Sequence, residues 1–452
     1  MVRVRIIGRR SGRPGGRGAR TTAAGLGGVL LLALLAGCAG AGDENSGPDA
    51  AHDPVVAAKA PARLPVPRGK GSGTPDDFNG DGHSDLVLND LVKGPDDTHG
   101  DDAGIGVVYG SARGLTPGAR QLLSPTRQAA ATDGQLPAVF DAEASADLDG
   151  DGFTDLVVST DPPYDGQGMP PVPLQILFGS PSGLTGKAVK LTIPAQARDG
   201  NEWPDQPVPG DFDGDGATDL VVHASNGQLS YLRGPFTRKG APRTAGAPLA
   251  SPGNVPTGPA ADVNDDGYDD LLIRTAEGTA ASAIVLGGPE GPTRTGAALP
   301  AGIDVALGDF GKGKALDAAV GAMGETSLRY DLPGAARGTL ATAGSVLHSG
   351  DFDGDGLSEL VSSGSELRLL RGRTTGLSTA GMVTVRPPAQ GTTRVLTITD
   401  FTGDGHADLV VRTYPGETKD TVALYPGGDR TSLIARRPTV TFSTSEFLGM
   451  DS

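Results

Sequence analysis

Asp147-Leu-Asp-Gly-Asp-Gly-Phe-Thr-Asp155-Leu-Val-Val158 is one of seven versions of a single pattern in this 452-residue chain. The other six begin at Asp77, Asp211, Asp262, Asp309, Asp351 and Asp400, so that successive copies lie 70, 64, 51, 47, 42 and 49 residues apart. A period of this size marks a repeat architecture, in which each copy is one supersecondary unit. Each loop is preceded by a short apolar stretch and followed by an Asp-Leu-Val-Val type run. A third segment then ends in glycines, as in GVVYGSARGL (106–115) and LQILFGSPSGL (174–184), and a fourth leads into the next copy. Four short strands per repeat, all joined by turns, predict a propeller blade. The expected fold is therefore all-β, a seven-bladed β-propeller over residues 74–452, at about 54 residues per blade.

Composition agrees. The chain holds 71 glycines and 36 prolines, with only 11 Phe, 7 Tyr and 1 Trp. That much punctuation excludes helical bundles and coiled coils. The formal charge is −16, and seven arginines fall in the first 20 residues, which leaves −23 on the remainder. Such a body repels phosphate backbones and anionic surfaces, so nucleic-acid binding is excluded and a cation is the natural partner.

The loops supply the cation's chemistry. The pattern is Asp-x-Asp/Asn-x-Asp-Gly-x-x-Asp, with side-chain oxygens at positions 1, 3, 5 and 9, a backbone carbonyl at 7, and a glycine at 6 for the sharp turn. Six to eight hard oxygens suit Ca²⁺. The expected ligands are Asp77, Asn79, Asp81 and Asp85; Asp147, Asp149, Asp151 and Asp155; Asp211, Asp213, Asp215 and Asp219; Asp262, Asn264, Asp266 and Asp270; Asp351, Asp353, Asp355 and Glu359; and Asp400, Asp404 and Asp408. Thr402 at position 3 predicts weaker binding in the last loop. The copy at Asp309 has Gly311 and Gly313 in ligand positions and Lys314 at the glycine position, so it is expected to bind no metal, the lysine replacing the ion's charge. An EF-hand is excluded, because position 12 is Leu88, Val158, Val222 or Ile273 within a strand rather than a bidentate Glu before a helix. A dockerin-like pair of loop-helix units fails on the same ground.

These motifs resemble the FG-GAP and VCBS repeats of the integrin α-subunit propeller family, over residues 74–452. The resemblance implies calcium sites in the loops and a propeller that serves as a platform for adhesion or ligand binding. Clear Phe-Gly and Gly-Ala-Pro signatures are missing, so the chain looks closer to bacterial VCBS-type lipoproteins than to integrins, and the family's ligand does not carry over.

Residues 1–37 read as a lipoprotein signal peptide: arginines, a short apolar run from Gly25 to Leu35, and Leu35-Ala36-Gly37-Cys38, which looks like a lipobox. The run is too short to span a membrane, which takes about 20 residues. Cys38, the only cysteine, is the expected lipidation site; it leaves no disulfide framework and no catalytic thiol. Arg9-Arg10 hints at twin-arginine export. Residues 38–73, rich in Ala, Gly, Pro and Ser, read as a flexible linker. The chain is then anchored on the outer face of the bacterial cell membrane through lipid alone, as a monomer.

Other motifs are weaker. Gly308 to Ala315 nearly spells a phosphate loop but ends in Ala and lies inside the decayed repeat. His83 and His406 occupy loop position 7, with side chains expected in solvent, and His223 and His348 read as packing residues. The expected function is a ligand-binding or adhesion module taking a glycan or protein of the cell envelope. Its contacts would come from the insertions Asp90–Asp102 and Asp161–Pro173, with Trp203 and a few tyrosines available to stack on sugars. The alternative is a secreted polysaccharide-acting enzyme, a lyase or hydrolase, on the same scaffold, although no catalytic constellation is evident. Ring closure is expected from the tail, where Glu446 to Asp451 reads as a strand supplied to blade one, whose own leading strand is missing.

Overall fold

The computed structural model describes residues 62–91, 104–198, 200, 203–275, 281–311, 313–332, 334, 336–341, 344–416 and 419–450, the last three without side chains. The expected signal peptide and the expected lipidation site Cys38 lie outside these residues. Strands dominate, and they sort into seven antiparallel sheets in sequence order. Blade two is typical. Its strands Phe140–Ala146, Asp155–Thr160, Leu174–Leu177 and Val189–Lys190 pair as a simple meander, with Leu156 opposite Leu177 and Ser145 opposite Leu156. No helix of the described residues is long and apolar enough to cross a membrane.

The unbroken apolar second strands follow from this arrangement. Successive strand residues point to opposite faces, so a strand packed on both sides needs apolar residues throughout. Leu156 and Val158 enter the core shared with blade one, whereas Val157 enters the core shared with blade three. Seven such cores occur, one between each pair of successive blades, and the seventh joins blade seven to blade one. The residue at loop position 2 plugs its blade in every copy. Phe78, Leu148, Phe212, Val263, Phe310, Phe352 and Phe401 are all buried.

Blade one has three strands, Leu86–Leu88, Ile105–Val108 and Arg120–Leu123, and the leading strand is missing as expected. The tail does not replace it. Thr444–Met450 is a 3-10 helix that rests beside blades seven and one, and it closes the ring with a side chain rather than a strand. Phe447 is fully buried among Leu86, Leu88, Leu91, Val108, Val422 and Leu424. A Cβ at Gly106 would meet its ring at 2.9 Å. The residues ahead of the tail explain the difference: Ser443 and Thr444 are held by Asp420 through their hydroxyls and the Thr444 N–H, which turns the chain inward.

The segment before residue 74 divides. Residues 38–61 lie outside the described set, while Leu64 to Ser72 are hydrogen-bonded along the propeller. Leu64 N–H donates to the Gly118 carbonyl, Gly69 N–H to that of Asn79, Lys70 and Gly71 to that of Gly80, and Ser72 to that of Gly152. This part of the expected linker therefore straps the first two aspartate loops.

Because strands alternate in direction, the aspartate loops, which join first to second strands, all open on one face. The connections from second to third strands open on the other. The insertion at Asp161–Pro173 belongs to that opposite face, whereas residues 92–103 of the other expected insertion lie outside the described residues.

Candidate metal centre

Each intact loop is folded by its own carboxylates. The position-1 aspartate accepts from the amides of positions 5 and 6: Asp77 from Asp81 at 3.1 Å and Gly82 at 2.6 Å, Asp147 from Asp151 at 3.1 Å and Gly152 at 2.8 Å. Asp211, Asp262, Asp351 and Asp400 do the same. The position-5 carboxylate then accepts from the position-7 amide, as Asp151 does from Phe153 at 3.1 Å. Position 6 has φ between +82° and +89° in all six, so only glycine fits there without strain.

Position 3 shows whether these loops fit a cation. Oδ1 of Asp149, Asp213 and Asp353 is buried without a hydrogen-bond partner, and so is the Thr402 hydroxyl. An unsatisfied buried oxygen is costly. In the same loops carboxylates converge: Asp147, Asp149 and Asp155; Asp211, Asp213 and Asp219; Asp351, Asp353 and Asp355 each offer oxygens within 4.8 Å of one another. Hard oxygens, some of them orphaned, fit Ca²⁺. Where position 3 is Asn79 or Asn264, its amide instead donates to Asp81 or Asp266, each at 3.2 Å. These two loops and the one at Asp400 keep the same backbone folding with fewer acids.

Position 9 has a second task. Asp155 accepts from Leu148 N–H at 3.0 Å and Gly179 N–H at 2.9 Å, tying the loop to the end of the third strand. Asp85 does so with Phe78 and Gly110, Asp270 with Val263 and Gly287, Glu359 with Phe352 and Gly372, and Asp408 with Phe401 and Gly427. Asp219 takes Gly234 N–H and the Tyr231 hydroxyl. Burial outweighs these donors and raises the carboxyls, to about 8 for Asp155 and Glu359 and about 6 for Asp219 and Asp270. A cation among them would reverse this by favouring the charged form.

Sequence reasoning missed a set of arginines. Arg238 pairs with Asp149 and Asp151, Arg243 with Asp215, Arg371 with Asp353, Arg294 with Asp266 at 2.7 Å, and Arg233 with Asp213 at 3.5 Å. Arg238 reaches from blade three to blade two. A signal existed for two of them: Arg233 and Arg371 both end a third strand, immediately before its glycine.

The decayed loop closes by another route. Asp331, just past the third strand, turns its carboxylate to accept from the Lys314 and Ala315 amides, both at 3.2 Å. Elsewhere the amides at these two positions go to the position-1 and position-5 carboxylates. Asp317 keeps its staple, accepting from Phe310 and Asp331. A carboxylate from outside the pattern thus takes the two amides that the position-1 and position-5 acids take elsewhere.

Loop position 7 also packs on its surroundings. Neither His83 nor His406 is fully exposed. His406 lies against Gly354 of the preceding loop, where an added Cβ would meet Nε2 at 2.5 Å, and Phe153 and Tyr268 cover Gly80 and Gly214 in the same way. His348 is buried. His223 is half-buried, with Nδ1 2.9 Å from the Trp203 carbonyl and Nε2 2.9 Å from the Asn254 side chain.

Comparison with known proteins bears on the repeats. An FG-GAP-like repeat family matches residues 147–222 and 351–411. No curated protein matches the chain. Among solved structures, BBS1N in complex with ARL6DN is 13% identical with a TM-score of 0.46, over 82% of this chain and 95% of that one. The Dos1 propeller is 11% identical with a TM-score of 0.46, over 84% and 91%. The periplasmic gluconolactonase PpgL of Pseudomonas aeruginosa is 12% identical with a TM-score of 0.40, over 79% and 96%. These likenesses are too low to carry a functional argument. The repeats are another matter: the matched segments span blades two to three and six to seven, so FG-GAP-like repeats build these parts of a seven-bladed β-propeller, whose other blades carry the same loop.

Proposed function

We propose that the chain is a calcium-braced, non-catalytic recognition module of the cell envelope, lipid-anchored through Cys38. It binds a glycan or protein with the propeller face opposite the aspartate loops. The observation that carries this reading is the separation of tasks between the faces. The loops that would hold calcium spend their oxygens on blade folding, whereas the insertion at Asp161–Pro173 extends the other face. There Tyr164, from the second insertion, meets Trp203 edge to face at 5.7 Å, beside Asp205 and His223. Half-buried aromatics of this kind offer rigid contact area to a ligand.

Two measurements test the reading. The melting temperature of the full chain should rise by many degrees on replacing EDTA with millimolar Ca²⁺ but not with matched Mg²⁺; no shift removes calcium from the account. An array of envelope polysaccharides and purified envelope proteins should then yield a ligand whose binding is lost in Trp203→Ala and Tyr164→Ala. A ligand unaffected by both variants places recognition elsewhere.

A further inference from the structure

Three loops have aspartate at position 3, and in all three an arginine sits on that aspartate: Arg238 on Asp149, Arg233 on Asp213, Arg371 on Asp353. Three intact loops have a neutral residue there, and among the described residues no ion pair or hydrogen bond joins an arginine to Asn79, Asn264 or Thr402; in the Asp262 loop Arg294 sits instead on the position-5 Asp266, whose Oδ2 also takes the Asn264 amide. An arginine on position 3 itself is thus found where that position is an acid. The aspartates are deeply buried, with side chains 8%, 5% and 0% exposed. In each the guanidinium faces Oδ2, while Oδ1 is the unpartnered atom aimed into the loop.

We propose that Arg233, Arg238 and Arg371 are built-in counter-ions that hold the position-3 aspartates when calcium is absent and compete with the ion when it arrives. A buried carboxylate without a counter-charge would disrupt the loop. A fixed cation on it opposes the dication bound by its other oxygen. Blades two, three and six thus keep their loops closed at low calcium, and they give up affinity for it. This inference rests on the loops being calcium sites. It adds that calcium affinity and calcium-free stability trade against each other through three named arginines.

The test uses the full chain with Arg371→Gln, whose arginine is the least exposed of the three at 18%. Arg238→Gln serves as a second variant if that one fails to fold. Thermal melts in EDTA and in millimolar Ca²⁺ are combined with calorimetric calcium titration. The expected result is a melt lowered by several degrees in EDTA and nearly restored by Ca²⁺, with one site tightened roughly tenfold, the order set by one unit charge near a surface dication. Asp353→Asn combined with Arg371→Gln, which imitates the asparagine loops, should recover the EDTA melt. An equal drop with and without Ca²⁺ overturns the inference in favour of a plain ion pair. Loosened calcium binding overturns it too, since the arginine would then orient a ligand. If the wild-type chain shows no calcium response at all, the calcium reading itself fails along with this one.

Discussion

The Arg412 guanidinium donates to the Asn89 carbonyl at 2.8 Å, joining residues 323 positions apart in the chain. It also donates to the Asp90 carbonyl at 2.6 Å, and its Nε reaches Asp420 at 2.7 Å. Arg412 is 2% exposed, and it ties the second strand of blade seven to the end of the corresponding strand of blade one. Asn89 continues the tie by exchanging two side-chain hydrogen bonds with the Ala142 backbone of blade two, both at 2.9 Å. Arg412→Met should lower stability by about 3–5 kcal/mol, because Asp420 is left as a buried unpaired charge. Urea denaturation in saturating Ca²⁺ measures this, and a loss below 1 kcal/mol would mean that the ring closes without it.

Phe447 offers a second probe of closure. Phe447→Ala should cost about 3–5 kcal/mol by emptying a filled core site. Truncation after Ser443 should cost at least as much and lower the melting point by many degrees. If truncation is silent while Phe447→Ala is not, the substitution acts through misfolding of the tail rather than through loss of the plug.

Loop positions 3 and 9 should separate metal binding from folding. Thr402→Ala removes a hydroxyl with no partner, so the EDTA melt should stay put while one calcium site weakens. Asp155→Ala removes the ties to both Leu148 and Gly179 and should lower the melt with and without calcium, by about 1–3 kcal/mol for two buried hydrogen bonds. Equal behaviour of the two variants would refute this division.

Asp331→Ala should destabilise blade five by about 1 kcal/mol, the usual value of lost exposed hydrogen bonds. The size should be the same in EDTA and in Ca²⁺, since that loop closes on a carboxylate. A calcium-dependent effect would show that an ion does enter there.

In EDTA the propeller should be more stable at pH 5 than at pH 8. Asp155 and Glu359 have folded-state values near 8, against 3.8 and 4.5 ordinarily, with burial as the main cause. The folded state therefore holds more protons than the unfolded chain across this window, and stability falls as pH rises through it. Calcium should flatten the trend, because the ion favours the ionised carboxylates. Melts at half-unit pH steps decide it, and a rise in stability from pH 5 to 8 in EDTA would contradict the assignment.

Much of this was legible in the residues. The period gave seven blades, since a recurring Asp-Leu-Val-Val run after each loop requires a strand buried on both faces. The missing leading strand of blade one could be read from Gly71 to Pro75. The tail could not. Its apolar residues fit a strand equally well, and only Asp420, distant in sequence, turns Thr444 inward to make a helix of it. The role of Asp331 could not be read either, because it lies outside the pattern and enters only through a turn after the third strand.

The sequence by itself determined the repeat, the blade count and the ring of aspartate-rich loops, because each depends on residues within a few positions of one another. Tertiary structure alone decided which oxygens stay orphaned, which arginines answer the position-3 aspartates, and how blade seven meets blade one. Those are contacts between distant segments, whose partners are chosen by the packing of seven sheets around an axis. No local pattern of residues encodes them.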